Sequence, residues 1–184
     1  MGAARIGLNP AQADQPMKLN RRQIFATGSL ALLGSMPAGA LDRPASAVVL
    51  SVRGNVSRSN DGDAVQFDMP MLERLGQRSL TTRTPWYDGP RKFTGPLLRD
   101  VLQAAGAQGT TIRAAALNDY KVDIPVADAQ RFDVVMARLI DDQPIPVRAK
   151  GPLFIIYPFD DRAELRVPQY FSRCAWQLRT LEIL

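Results

Sequence analysis

Trp86 and Tyr87 are adjacent aromatic residues between Pro85 and an Asp88-Gly89-Pro90 turn. The proline before them and the turn after them predict a loop, and aromatic residues on loops more often bind a ligand than fill a core. Their rings can stack on a flat heteroaromatic molecule, and the Asp88 carboxylate can accept hydrogen bonds from amino groups at its edge. Ordinary turn chemistry is the alternative role for Asp88.

A second group of candidate ligand residues lies in the turn that follows residue 117. Asp119 adds a carboxylate that can accept from the same amino groups, and Tyr120 adds a ring for stacking. Both have simpler structural alternatives. Asn118-Asp119 is common in hairpin turns, and Tyr120 can pack against its neighbour on the paired strand.

Three cations and one more aromatic residue complete the candidate set. Arg148 and Lys150 flank one small residue, so their like charges repel unless water or a shared anion lies between them. Together with Arg173 they can donate hydrogen bonds to carbonyl or phosphate oxygens of a ligand. Trp176 can stack on such a ligand, although a large aromatic residue on a strand more often fills a core.

Histidine is missing from the sequence, and Cys174 is its only cysteine. Without histidine the chain lacks the usual general base near neutral pH and the commonest zinc ligand, which excludes zinc hydrolases and Ser-His-Asp catalysis. One cysteine can form neither an internal disulfide nor the ligand set of an iron–sulfur cluster. We therefore predict no catalytic residues and no metal ligands.

Residues 1–47 are typical of an export signal. Arg21 and Arg22 precede a short apolar run over residues 26–36 that is too brief for a stable membrane anchor. The arginine pair is similar to a twin-arginine signal, and a general secretory signal is the alternative. Two triplets of small residues, 38–40 and 45–47, are candidate peptidase sites, and we favour cleavage after Ala47. Either route predicts a periplasmic protein.

The net charge of +5 belongs mostly to this first segment. Beyond Ala47 the chain has 18 basic and 16 acidic residues, a net charge of +2. Such a balance lacks the excess of cations that is typical of nucleic-acid binding. We expect no nucleic-acid partner.

Strands dominate the pattern of residues 48–184, and they must position the candidate residues. Apolar runs between Gly, Pro and Asn-Asp turns predict strands over residues 48–54, 64–69, 78–84, 110–117, 120–124, 152–157 and 175–183, and a further apolar run covers residues 133–140. Helical spacing predicts short helices over residues 70–76, 96–106 and 126–132. This pattern predicts one α+β domain, mostly β with three or four short helices.

Four segments are similar to the molybdopterin-binding domain of the sulfite oxidase family. They are residues 93–98, 117–125, 136–152 and 172–176. The resemblance implies the sulfite oxidase fold and a pocket in which the stretches matching 148–152 and 172–173 line the pterin and its phosphate. It therefore assigns Arg148, Lys150 and Arg173 to pterin binding.

The chain departs from this family at the metal ligand. In family members a strand that matches residues 78–84 runs into a cysteine whose thiolate holds molybdenum, whereas here it runs into Thr84-Pro85-Trp86. Cys174 matches a position near the pterin, not near the metal. The resemblance thus implies a reduced pterin without a metal, and the candidate ligand residues are Trp86, Tyr87, Asp88, Asp119, Tyr120, Arg148, Lys150, Arg173 and Trp176.

Periplasmic pterin-binding regulators of the PruR type resemble the chain more closely than do the metal-carrying members of the family. This resemblance implies a non-catalytic regulator whose partner is the periplasmic domain of a membrane-bound cyclic-di-GMP cyclase or phosphodiesterase, with a role in biofilm regulation. The alternative is a periplasmic molybdopterin-dependent oxidoreductase with a non-cysteine metal site. A third possibility is an interaction domain whose pocket is closed.

Overall fold

A computed structural model describes residues 41–184 of the chain. Within these residues the chain forms eleven strands and four short α-helices, which confirms the α+β class and the predominance of strands. In chain order the elements are β1 (Val48–Gly54), β2 (Val65–Asp68), α1 (Met69–Arg74), β3 (Gln77–Arg83), β4 (Pro90–Pro96), α2 (Leu98–Ala105), β5 (Thr111–Ala116), β6 (Lys121–Pro125), α3 (Val126–Arg131), β7 (Val135–Ala137), β8 (Leu139–Ile140), β9 (Gln143–Pro144), β10 (Phe154–Ile156), α4 (Pro168–Arg173) and β11 (Leu178–Ile183).

β1 and β11 are neighbours in a five-stranded sheet with the order β2-β1-β11-β5-β6. They pair in parallel, with Ser51 opposite Thr180. The β1–β2 and β5–β6 pairs are antiparallel, as the turn residues between them predict. Buried and half-buried residues alternate along β5, so one face of this sheet packs against the core. The β5–β6 turn carries Asp119 and Tyr120.

β3 and β4 form a hairpin on one side of a four-stranded sheet with the order β3-β4-β8-β9. Their pairing runs from Gln77 opposite Pro96 to Arg83 opposite Pro90. Residues 84–89 are therefore a loop whose two ends the hairpin fixes. Trp86 and Tyr87 lie on this loop, as predicted.

The sequence pattern does not predict β4, and it wrongly starts the following helix at Pro96. A proline at each end of β4 indicates a break, yet proline is tolerated at strand ends, where it need not donate to the ladder. Gly95 passes so close to β7 that a Cβ there would collide with the carbonyl oxygen of Met136. α2 begins at Leu98 and ends, as predicted, at Gly106, which has a left-handed φ of 64°.

The apolar run over residues 133–140 divides between two sheets. β7 pairs with β10 in a two-stranded sheet, whereas β8 pairs with β4. Arg138 lies between them and donates its backbone N–H to Thr94 O at 2.9 Å. β10 lies within the strand predicted over residues 152–157, and all three of its residues are buried.

α4 precedes the last strand and is missing from the sequence prediction. Pro168 occupies its first turn, where the absent N–H of proline costs no hydrogen bond. Tyr170 packs with its ring centroid 5.5 Å from that of Tyr157, and Phe171 packs 4.8 Å from Phe159. A helix of six residues has little stability of its own, so this aromatic packing holds α4 in place.

Residues 41–47 lie against the domain ahead of β1. Leu41 packs on the hydrophobic core, and the backbone N–H groups of Ala45 and Ser46 donate to Asp68. The arginine pair and apolar run of the expected export signal lie outside the described residues. Within residues 41–184, no helix combines the length and the apolar character that crossing a membrane requires.

Candidate functional site

A cavity of about 420 Å³ opens between the β3–β4 loop, the β5–β6 turn and α4. Its volume is in the range that small heteroaromatic ligands occupy. The lining is mainly apolar, and we call it the aromatic cavity. It is formed by Pro85, Trp86, Asn118, Tyr120, Pro168, Phe171, Ser172, Cys174 and Trp176.

Trp86 forms one wall of the aromatic cavity and is half-buried. Its ring centroid lies 5.5 Å from that of Phe154, 6.4 Å from that of Phe171 and 5.7 Å from that of Trp176. The loop position of Trp86 favours ligand binding over a core role, but the ring also packs against the core. Because tilted and edge-to-face aromatic pairs are favourable, the core fixes Trp86 while one part of it lines the cavity.

Trp176 lies next to Lys150, which carries a positive charge to the edge of the aromatic cavity. The Lys150 Nζ is 4.9 Å from the ring centroid of Trp176 and 5.9 Å from that of Tyr87. Attraction between an ammonium and these ring faces stabilises the arrangement. The carbonyl oxygen of Lys150 also accepts a 2.9 Å hydrogen bond from Gln177 N, which fixes the backbone beneath the side chain.

Tyr87 lies beside this cation, outside the cavity lining. Its ring centroid is 6.2 Å from that of Phe93, and the Arg91 guanidinium carbon lies 5.8 Å from it. Burial raises the pKa of the Tyr87 hydroxyl, while the charge of Arg91 lowers it and that of Asp141 raises it. The net shift is upward, so the hydroxyl is a neutral donor near pH 7.

Tyr120 connects the β5–β6 turn to the end of α4. Its hydroxyl donates a 2.6 Å hydrogen bond to the carbonyl oxygen of Ser172, and its side chain lines the aromatic cavity. The residue is 42% exposed, so its ring is accessible to a ligand. The alternative role of packing on a neighbouring strand does not account for this bridge.

Arg173 does not line the aromatic cavity and instead pairs with a buried carboxylate. Its Nη1 lies 2.7 Å from Oδ2 of Asp128, and the Tyr157 hydroxyl donates to the same oxygen at 2.8 Å. Asp128 is only 8% exposed, and a buried carboxylate needs such partners. Burial, followed by the charge of Asp128, raises the pKa of Tyr157 and keeps its hydroxyl protonated.

Three other candidates are exposed and lie outside the cavity lining. Asp88 is in the β3–β4 loop, and Asp119 adopts a left-handed φ of 64° in the β5–β6 turn, which is the turn role weighed for it above. Arg148 lies in a 3-10 turn over Val147–Ala149. The structure thus brings Trp86, Tyr120 and Trp176 together, with Tyr87 and Lys150 beside them.

Several cavity residues escaped the sequence prediction because they belong to α4 and the residues around it. Pro168 followed by Tyr170 and Phe171 is a sequence signal for a short packed helix, and it would have indicated this wall. Cys174 also lines the cavity, but burial raises the pKa of its thiol well above the ordinary value. Its Sγ donates to Tyr170 O at 3.5 Å.

The donor groups of the described residues do not fit a metal held through a thiolate. Cys174 is 2% exposed, and its raised pKa favours the neutral thiol, whereas a metal ligand must be the thiolate. No group of three or more His, Cys, Asp or Glu side chains within residues 41–184 is arranged to hold a metal ion.

A smaller cavity of about 240 Å³ adjoins the aromatic cavity and shares Pro85 and Phe171 with it. Thr84, at the end of β3, lines this second cavity. Its Oγ1 is buried and has no hydrogen-bond partner among the described residues. Because an unpaired buried hydroxyl is unfavourable, a ligand or water is the expected partner.

The comparisons with known proteins show a fold and no closer relationship. No family model matches the chain, and no curated protein matches it. In solved structures, the chain is similar to the sulfane dehydrogenase SoxCD from Paracoccus pantotrophus, with a TM-score of 0.56 and 16% sequence identity. The similarity covers 79% of this chain but 40% of the SoxCD chain. The protein therefore has an α+β fold similar to that of one part of an oxidoreductase.

Proposed function

We propose that this protein binds a reduced pterin, without a metal, in the aromatic cavity. The observation that supports this most directly is the wall formed by Trp86 and Trp176, with the Lys150 ammonium 4.9 Å from the Trp176 ring. A pterin is a flat bicyclic ring with an amino-substituted edge and a carbonyl. Aromatic walls suit its faces, and an ammonium suits its carbonyl oxygen.

Polar groups around the cavity suit the edge of the pterin ring. Asn118 lines the cavity and carries both a donor and an acceptor in its side-chain amide. A ligand with several donors and acceptors along one edge can satisfy such groups, as a purely apolar molecule cannot.

Titration of the purified protein with tetrahydropterin under anaerobic conditions tests this proposal. Trp86 and Trp176 line the cavity, so a bound heteroaromatic ring should quench tryptophan fluorescence in a saturable way. We expect saturation at micromolar ligand, which corresponds to about 8 kcal/mol of binding free energy. Absence of saturable quenching below millimolar pterin would contradict the proposal.

We further propose that the protein acts in the periplasm as a non-catalytic regulator of a membrane-bound cyclic-di-GMP cyclase or phosphodiesterase. The periplasmic location rests on the export signal expected in residues 1–47 and on the family resemblance. A regulator requires that its loaded form bind the partner differently, and a tenfold difference corresponds to about 1.4 kcal/mol of coupling. Binding of the partner's periplasmic domain, measured with and without pterin, checks this; equal affinities would count against regulation.

The competing function is a molybdopterin-dependent oxidoreductase with a non-cysteine metal site. The similarity in fold to a sulfane dehydrogenase favours it. Burial raises the pKa of the Cys174 thiol and disfavours the thiolate, so this alternative requires a metal ligand other than cysteine. Stoichiometric molybdenum in protein purified from its own host would support the enzyme.

A closed interaction domain is the third possibility, and the same preparations distinguish it. In that case the pterin titration stays flat while the partner still binds. The open volume of about 420 Å³ favours a ligand-binding site over a closed pocket.

A further inference from the structure

Asp68 is a buried carboxylate that residues ahead of β1 keep hydrogen-bonded. It is 1% exposed and lies at the junction of β2 and α1, where its Oδ1 accepts from Met71 N at 2.9 Å and caps the helix. Its Oδ2 accepts from Ala45 N at 2.8 Å, Ser46 N at 2.9 Å and Ser46 Oγ at 3.1 Å. Three of these four donors thus belong to residues 45 and 46.

Other contacts attach the same segment to the domain. Asn60 donates from Nδ2 to Asp42 O at 2.8 Å, and its side chain also pairs with the backbone of Gln66 in β2. Leu41 packs against the hydrophobic core and lines a depression together with Phe67. Residues 41–47 therefore behave as a part of the folded domain.

Removing these residues would leave Asp68 poorly satisfied. Its Oδ2 would lose every hydrogen-bond donor that the described residues supply to it. A carboxylate in this position needs hydrogen bonds, because burial without partners strongly disfavours the charged form. Cleavage after Ala47 would have this result.

The Ala47–Val48 bond is also a poor protease substrate in the folded chain. Ser46 is bonded to Asp68 on one side, and Val48 begins the β1–β2 ladder opposite Asp68 on the other. A peptidase binds an extended segment whose backbone is free, so this site requires local unfolding first. The other small-residue triplet, Ala38-Gly39-Ala40, precedes the attached segment in the chain.

We propose that the export peptidase cleaves after Ala40 and that residues 41–47 remain in the mature protein as a fixed lead-in to β1. The inference rests on the periplasmic location in the proposed function, and on export of an already folded chain by the twin-arginine route. Both triplets offer small residues at the two positions that such peptidases read, so the sequence permits either site. The hydrogen bonds of residues 45 and 46 to Asp68 favour Ala40 over Ala47, the site that the sequence alone favours.

Expression of the full chain in its host, followed by N-terminal sequencing of the periplasmic protein, tests the inference. We expect the sequence to begin at Leu41. A start at Val48 overturns this inference and leaves export intact. Unprocessed protein overturns both this inference and the proposed export, while pterin titration of the same preparation tests ligand binding separately.

Two matched substitutions identify the bond without relying on the wild-type product alone. Ala40→Arg should abolish maturation, because arginine is excluded from the position before the cleaved bond. Ala47→Arg, at an exposed position, should leave the mature N-terminus and its yield unchanged. The reverse pattern would overturn the inference.

Deletion of residues 41–47 from the full chain tests whether the segment belongs to the fold. We expect the melting temperature of the exported product to fall by roughly 5–10 °C, the scale expected when several buried interactions are lost in a domain of this size. Pterin affinity should not change, since none of these residues lines the aromatic cavity. An unchanged melting temperature would contradict the proposal.

Discussion

Lys150 and Arg148 are two residues apart and carry the same charge, but only Lys150 lies against the aromatic rings beside the cavity. The Lys150 Nζ is 4.9 Å from the Trp176 centroid, whereas Arg148 is exposed on a 3-10 turn. The two residues therefore form a natural test pair, in which one cation should contribute to ligand binding and its neighbour should not.

Lys150→Met should weaken pterin binding by roughly tenfold or more, the loss expected when a charged donor no longer bonds a ligand oxygen. The methionine keeps the length and apolar character of the side chain over Trp176. Arg148→Met is the matched control and should bind as the wild type does. Fluorescence titration of both variants measures the difference, and equal affinities would place the ligand elsewhere.

Arg173 should matter for stability far more than for binding. Arg173→Met would leave the Asp128 carboxylate, whose side chain is 10% exposed, with only the Tyr157 hydroxyl. Breaking a buried ion pair by removing one partner costs about 3–5 kcal/mol. Urea unfolding should show this loss, whereas pterin affinity measured below the unfolding transition should change little. A large loss of affinity with unchanged stability would restore Arg173 as a ligand residue.

Asp68 predicts a pH dependence of stability at acid pH. Burial tends to raise the pKa of this carboxyl, but hydrogen bonds from Met71, Ser46 and Ala45 outweigh it and leave the pKa below the ordinary value. A group with a depressed pKa in the folded state contributes stability above its unfolded pKa of about 3.9, and this contribution disappears as the pH falls through the folded pKa. Asp68→Asn should therefore be less stable than wild type near pH 7.

The stability difference between wild type and Asp68→Asn should shrink as the pH falls below about 4. Thermal unfolding of both proteins between pH 2.5 and pH 7 measures it. A difference that stays constant over this range would mean that the charge of Asp68 contributes nothing to the fold.

At the level of secondary-structure elements, the β3–β4 hairpin limits how the loop over residues 84–89 can move. The hairpin pairs Arg83 with Pro90, so residues 84–89 can rearrange only between fixed ends. Trp86 is packed against Phe154 and Phe171, whereas Asp88 is exposed. Ligand-dependent ordering should therefore be concentrated in the exposed half of the loop.

Hydrogen exchange over residues 85–92 should slow when pterin binds, because a ligand against Trp86 reduces local opening of the loop. Deuterium uptake of peptides from this region, measured with and without pterin, gives the result. Peptides from β1 and β11 are the internal control and should not change. Unaltered uptake across the loop would contradict a role for it in ligand sensing.

Sequence periodicity predicts the elements whose turns carry a clear signal and misses those that depend on contacts between distant residues. The β1–β2 and β5–β6 hairpins follow from Asn, Asp and Gly in their turns. β4 does not, because its prolines indicate a break and because it pairs with the distant strand β8, as in Phe93 opposite Ile140. α4 is stable through Tyr170 and Phe171, whose partners are far away in the chain.

The same distinction applies to the residues of the candidate site. Trp86 and Tyr120 could be predicted because loop position and residue type are local properties. The ion pair of Arg173 could not be predicted, because its partner Asp128 is 45 residues earlier and only the folded chain brings the two together. Pro168 and Phe171 were missed because the helix that carries them was missed.

At the scale of the whole molecule, the fold is similar to one part of a dehydrogenase chain, and this likeness concerns the fold alone. The single thiol of this chain is buried, and burial raises its pKa. Elemental analysis of protein purified from its host distinguishes the proposed pterin-binding protein from a molybdenum enzyme. We expect less than a tenth of an equivalent of molybdenum per chain, because the chain lacks a thiolate ligand for the metal. A pterin should be released when the same protein is denatured.

β11, the last strand of the described domain, lies in the middle of the five-stranded sheet, between β1 and β5. It pairs with β1, which lies more than a hundred residues earlier, as in Ser51 opposite Thr180. It also pairs with β5, which lies more than sixty residues earlier, as in Ile112 opposite Ile183. A ribosome that has synthesised all but this strand therefore holds two half-sheets with open edges. Arrested nascent chains should acquire protease resistance abruptly once residue 184 has left the exit tunnel, and gradual acquisition at shorter lengths would show that the halves fold independently.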